Sequence, residues 1–389
     1  MNFDSATLTF TTPIEPWLEI SETTQDLAWQ QSQCLATPST RLQAYLNRLC
    51  LLSILPWLEE TLGITAKPAP NLTALPSFWE VVNGTAITIN KTRLVLIPSQ
   101  AIDTNEIRVP QEWVDIPSWA ADYYLAVQIN SEDGWLRIWG YTTHLQLKNQ
   151  GTYNGRDRTY SLDEKDLIHD INVLWVMREL CPETATKSEI EPLPILPLAQ
   201  ANSLLERLGN PTLAFPRRAI PFSLWGALLE HGGWRQRLYE KRLGLPEQWS
   251  ILQWLQAGIS DLAQQIGWNC LELETSFVSR SAEQKNESVI LSRQLLIADQ
   301  AYELQVRSPE NTAGIWRIEL HSLSSNGLIP AGFKLRLLTE DLQPFPDNER
   351  IAIEPIEKLE FELELEPGEG LVWEIDPTPE NYDREILRF

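Results

Sequence analysis

Reactive residue types are scarce in this chain. Its 389 residues include four cysteines, four histidines and two methionines. Cys34, Cys50, Cys181 and Cys270 stand alone, and no Cys-x-x-Cys pair is present. That excludes the usual zinc and thiol-redox spacings. Each cysteine has apolar neighbours, as in Leu49-Cys50-Leu51-Leu52, so all four read as reduced core thiols of an intracellular protein. His144, His169, His231 and His321 are far apart, and there is no His-Glu-x-x-His. No metal site is expected from such spacing. The Gly-x-x-x-x-Gly-Lys-Ser/Thr phosphate loop, Gly-x-Gly-x-x-Gly and Gly-x-Ser-x-Gly are also missing, so no cofactor is expected. A run of about 18 apolar residues, the mark of a membrane-spanning helix, does not occur. The start, Met-Asn-Phe-Asp-Ser, lacks a basic segment followed by an apolar one. No signal peptide is therefore expected, and the location expected is cytoplasmic.

Acid and tryptophan are abundant. The formal net charge is −22, and there are sixteen tryptophans. Residues 341–389 alone hold fifteen Asp and Glu against four Lys and Arg. A chain this acidic repels phosphate backbones, which argues against nucleic acid as a partner. The tryptophans mostly sit in apolar patterns and are read as core.

Length and patterning point to an α+β multidomain chain. Residues 1–66 read as a helical segment. Within it Leu42, Tyr45, Leu46, Leu49, Leu52 and Leu55 recur at threes and fours, after a cap at Ser39 or Thr40 and before Gly63. Ser21 to Leu35 reads as a second helix. Residues 67–181 read as a small antiparallel β-barrel or curled sheet with a terminal helix, Asp163 to Leu180. Asn83-Gly84, Asp133-Gly134 and Asn154-Gly155 are its expected hairpin turns. Residues 182–198, with Pro182, Pro192, Pro194 and Pro197, read as a linker. Residues 199–268 are expected to be helical, ending in one helix from Trp249 to Gly267. Residues 269–389 are expected to form an acidic antiparallel β-sandwich.

The clearest single pattern lies in that last region. Leu359 to Glu366 reads Leu-Glu-Phe-Glu-Leu-Glu-Leu-Glu. A period of two specifies a strand with one buried and one wet face. It places Glu360, Glu362, Glu364 and Glu366 on one surface. Calcium needs six to eight converging oxygens, which a flat row does not supply. The row therefore reads as a solvated face, a guard against unwanted strand pairing, or a dock for a basic partner.

Other candidates are weaker. Residues 205–245 carry seven cations against Glu206, Glu230 and Glu240. Trp234, Arg235, Arg237 and Arg242 belong to this stretch, the one footprint that resembles nucleic-acid contact. Internal pairing with the acidic C-terminal region is its favoured explanation. His169-Asp170 with Cys181 is the nearest approach to a catalytic set, but positions 169 and 181 would lie about 18 Å apart on one helix. His144, Asp166, His169 and Asp170 remain as the polar residues that an enzyme would use.

Four stretches together carry a resemblance. They are Ala121 to Ile129, Ile138 to His144, Trp254 to Trp268 and Ile329 to Leu342. On them the chain resembles a cyanobacterial family, domain-of-unknown-function family 1822. That family brings no activity to transfer. Its members are often encoded near sigma-factor-like genes or caspase-like proteins, which implies signalling or stress regulation. Gly140 and His144, in Gly-Tyr-Thr-Thr-His, are the first positions to test. The expected function is a non-enzymatic cytosolic adaptor or regulator with a protein partner. The alternatives are an enzyme with a site between the barrel and helices, and nucleic-acid binding through residues 205–245.

Overall fold

The computed structural model describes residues 15–272, 289–308, 314–324, 327–380 and 382–389. The fold is mixed α and β, with a curled half-barrel sheet and several antiparallel sheets. Two compact units form. One runs to Leu196 and adds Ser203–His231 and Leu238–Gly244; the other comprises Pro197–Asn202, Gly232–Arg237 and Leu245–Phe389. None of the described helices is long and apolar enough to cross a membrane.

The first unit contains β1 (Trp17–Glu19), β2 (Lys67–Pro68), β3 (Thr85–Ile89), β4 (Thr92–Ser99), β5 (Glu106–Pro110), β6 (Tyr123–Asn130), β7 (Trp135–Thr143), β8 (Thr152–Asn154) and β9 (Thr159–Asp163). Six of these make a sheet in the order β1-β7-β6-β4-β3-β2, and β5-β9-β8 make another. The described part of residues 1–66 shares this unit with residues 67–181, because β1 pairs with β7. The large sheet is not wholly antiparallel: β4 and β6 run parallel. Short turns force antiparallel pairing, whereas the long passage from Ser99 to Tyr123 leaves room for a crossover.

Local chemistry explains where elements begin and end. Helix Pro38–Leu62 is capped by Thr37 rather than by Ser39 or Thr40; Thr37 and Thr40 cap each other reciprocally, and Pro38 fills the first turn. It runs through Pro56 and stops at Gly63, whose φ is +63°. Ser21 caps the helix Glu22–Ser32. Asp133-Gly134 turns β6 into β7 and Asn154-Gly155 lies between β8 and β9, as expected. Asn83-Gly84 does not make a hairpin. Trp79 ends a short helix, Leu75–Trp79, and the β3–β4 turn is at Asn90-Lys91. Gly84 is needed for close approach instead: a Cβ there would sit 2.7 Å from the Trp113 indole nitrogen.

Three further expectations change. The helix expected from Asp163 is a single tight turn, Glu164–Asp166, followed by Ile171–Leu180. The helix expected from Trp249 to Gly267 breaks at Gly258, φ +91°, into Ile251–Ala257 and Asp261–Gln265. Residues 182–196 are not a free linker. Leu145 N–H donates to Thr186 O at 2.8 Å, Thr186 Oγ1 donates to Asp122 at 2.8 Å, and Leu196 is buried.

The second unit has β10 (Trp268–Glu272), β11 (Val289–Ile297), β12 (Gln300–Arg307), β13 (Ile315–Ser322), β14 (Lys334–Thr339), β15 (Glu349–Ile351), β16 (Lys358–Glu364), β17 (Gly370–Asp376) and β18 (Ile386–Arg388). These form two antiparallel sheets, β10-β11-β12-β13-β16 and β15-β14-β17-β18. Both sheets turn an apolar face into one core, where Leu304, Ile318 and Phe361 meet Leu335, Leu337 and Trp373. Each such side chain stabilises the fold by about 1.5–3 kcal/mol through burial. No disulfide joins the described cysteines. Only Cys50 is a core thiol; Cys34, Cys181 and Cys270 are exposed, because they lie past helix ends or on the edge strand β10.

Candidate functional site

The four polar residues that an enzyme would need make separate contacts. Thr143 caps the helix His144–Gln150, and this puts the His144 ring in the interior with no exposed surface. Its Nε2 lies 2.9 Å from Val114 O, and its Nδ1 accepts from Ser188 N–H at 3.2 Å and Ser188 Oγ at 3.1 Å. These contacts define a neutral ring protonated on Nε2. Burial pulls its pKa below the usual histidine value, against the opposing effect of the Val114 carbonyl. The ring pins the 182–196 segment through Ser188.

Asp166 is exposed, and its carbonyl accepts from Gln146 Nε2 at 2.6 Å. Asp170 caps the helix Ile171–Leu180 by accepting from Asn172 N–H at 2.9 Å. His169 therefore precedes this helix, while Cys181 ends it. The β6–β7 ladder pairs Ala126 with Gly140 and Val127 with Ile138, which leaves Trp139 as a bulge. Its carbonyl, freed from the ladder, meets His169 Nδ1 at 2.9 Å. Gly140 lies at the same bulge, and a Cβ there would press on Leu167 at 3.2 Å. Gly140, His144 and His169 thus shape backbone. Among the described residues no group of three or more His, Cys, Asp or Glu is placed to hold a metal ion.

A polar cluster that the sequence did not reveal lies nearby. Lys148 Nζ is 2.8 Å from Asp115 Oδ1 and 2.9 Å from Tyr160 OH. Tyr160 OH donates to Asp115 Oδ2 at 2.8 Å, and Gln111 donates to the same oxygen at 2.9 Å. Burial pushes the Tyr160 phenol up to about 12, so it stays protonated. Burial also opposes charge on Lys148, but hydrogen bonds with Asp115 and Tyr160 outweigh it and hold the amine cationic. Within the cluster the Asp115 carboxylate accepts from Gln111, Lys148 and Tyr160. Its members come from three separate elements, so no local spacing could have announced it.

Much of the basic stretch 205–245 turns inward, although Arg207 and Arg218 stay exposed. In the first unit Arg217 clasps the fully buried Glu112 through two bonds of 2.9 and 2.6 Å, and Trp225 Nε1 donates to the same carboxylate at 2.8 Å. Arg242, also buried, pairs with buried Glu80 at 2.7 Å and donates to three backbone carbonyls. In the second unit Arg235 pairs with Asp383, and burial draws its pKa below the usual arginine value. Arg237 meets Glu340 at 3.1 Å, and Trp234 Nε1 donates to that carboxylate at 3.3 Å. Trp234, Arg235 and Arg242 are buried, so they present nothing to a partner. The reason is that each aligns with an acid from a distant part of the chain, and a charge count cannot register such pairing.

The glutamate row behaves differently. β16 ends its sheet, and Glu360, Glu362, Glu364 and Glu366 are all exposed. Leu359 and Phe361, between them, are buried. Glu360 meets Lys358 at 2.6 Å and Glu362 meets Arg317 on β13 at 2.5 Å. Behind the row, buried Glu319 is held by Arg307 at 2.7 Å, Lys358 at 2.9 Å and His321 at 3.3 Å. Burial alone would raise its pKa; the hydrogen bonds from Lys358 and Arg307 win and hold it at about 2.

Comparison with known proteins gives a family and no activity. Neither the curated proteins nor the solved structures yield a match. A family model described as "Protein of unknown function (DUF1822)" matches residues 18–388, and the chain belongs to that family.

Proposed function

We propose that this protein works as a cytoplasmic regulatory adaptor, by binding another protein rather than by catalysing a reaction. One observation carries the reading: the four glutamates of residues 360–366 all face solvent at a sheet edge. The candidate reactive groups are engaged elsewhere, in caps, a bulge and internal ion pairs. A regulatory role in signalling or stress fits the family resemblance. The test is affinity capture of the full chain from its native cell, with mass spectrometry of what is retained. A specific, saturable protein partner is expected. Recovery of nothing beyond a charge-matched control overturns the reading.

A further inference from the structure

We propose that the outer edge of β16 accepts an added strand from a partner, an extended segment alternating basic and apolar residues. This rests on the adaptor reading and names the surface and chemistry it would use.

Three observations converge on this edge. β16 (Lys358–Glu364) pairs with β13 on one side and closes the five-stranded sheet on the other. Among the described residues no strand pairs with that second side, so its backbone N–H and C=O groups stand available along the edge. The outward face carries glutamates, and Glu364 has no cationic partner among the described residues. On the inward side β16 itself carries an apolar face, with Leu359 and Phe361 buried and Leu363 half-buried. β15 lies against it there, since the Arg350 guanidinium sits 4.6 Å from the Phe361 ring centre.

A strand added here places alternate side chains over these two surfaces. Those on the outer face meet Glu360, Glu362 and Glu364, which call for lysine or arginine. Those on the inner side continue the apolar face of Leu359, Phe361 and Leu363, which calls for valine, isoleucine or leucine. A second copy of this chain is a poor occupant. Antiparallel pairing about a two-fold axis would set glutamate opposite glutamate, and like charges directly opposite are destabilising. The same charges that block self-pairing therefore select a basic strand. Lys358 and Arg317 neutralise part of the row, so backbone pairing and apolar contact must contribute alongside charge.

The test uses the full chain and a blocked peptide of roughly seven residues, a usual strand length, alternating lysine and valine. A scrambled peptide with its lysines grouped has the same charge. The alternating peptide is expected to bind at least about tenfold tighter than the scrambled one, which is about 1.4 kcal/mol. Hydrogen exchange should slow at residues 358–364. Glu364→Lys should weaken binding, and Glu360→Lys with Glu362→Lys and Glu364→Lys should abolish it. Exchange on the unaltered protein stands even where the triple variant fails to fold. Equal binding of the two peptides, protection elsewhere, no binding, or self-association through this edge overturns the proposal. Native-cell capture judges the adaptor reading separately, so failure of the peptide does not decide it.

Discussion

Two stretches of this chain concentrate charge of opposite sign, and they fold into opposite environments. The glutamates of 359–366 stay in water at a sheet edge. Arg235 and Arg242, from the basic stretch 205–245, go into the interior and meet acids there. Alternation is a statement about geometry, because a strand must send neighbouring side chains to opposite faces. A sum of charges says nothing about where partners will arrive from. The pair Arg242–Glu80 spans 162 positions, and Arg217–Glu112 spans 105.

The comparison breaks first if the buried pairs prove dispensable. Glu80→Ala strands the Arg242 guanidinium, which is 1% exposed, without its carboxylate. It also removes the acceptor of the Ala36 N–H bond, 3.0 Å long. The expected loss is about 3–5 kcal/mol, read from denaturant unfolding. A loss below about 1 kcal/mol would place this pair with ordinary surface salt bridges.

Within β16 the same contrast is available one residue apart. Phe361 is 1% exposed and belongs to the core shared by the two sheets. Phe361→Ala should cost about 3–5 kcal/mol through lost burial and the cavity left behind. A similar cost at any exposed glutamate of the row would mean that the two faces are not distinct.

How much was legible follows from the same logic. The β16 strand, the Asp133-Gly134 turn and the Gly63 stop depend on neighbours within a few residues, and their sequence signals were accurate. Asn83-Gly84 misled because the same dipeptide that permits a hairpin also permits close approach to Trp113. The Gly258 break misled because an apolar stripe at helical spacing, Leu252, Leu255, Ile259, Leu262 and Ile266, continues across it. The Asp115–Lys148–Tyr160 cluster was invisible, since three elements must fold before its atoms meet. Trp139 shows the limit of period two: a bulge shifts the phase, and Gly140 is its one mark in Trp-Leu-Arg-Ile-Trp-Gly-Tyr.

Acid separates the two kinds of carboxylate. With its folded pKa held at about 2, Glu319 stays ionised in the folded protein below the usual glutamate range. A depressed value contributes stability in full above about pH 4.3, and that contribution fades as pH falls towards 2. Its partners Arg307 and Lys358 are 32% and 37% exposed, so solvent screening limits the effect. Glu319→Gln should therefore destabilise by about 1 kcal/mol at neutral pH. The gap to the unaltered protein should close as unfolding is followed from about pH 4.5 downwards. A gap independent of pH would assign the cost to packing rather than charge.

The smallest effect is expected at Glu362. Its side chain is 56% exposed, and its bond to Arg317 at 2.5 Å joins two groups that water already solvates. Coulomb attraction there is weak, and holding two long side chains together costs conformational freedom. Glu362→Ala should change stability by no more than about 0–1 kcal/mol, and the change should shrink as salt is added. A row that contributes so little to folding is free to be kept acidic for another reason. If Glu362→Ala instead costs as much as Glu80→Ala, the row is structural, and its charge would argue for no partner at all.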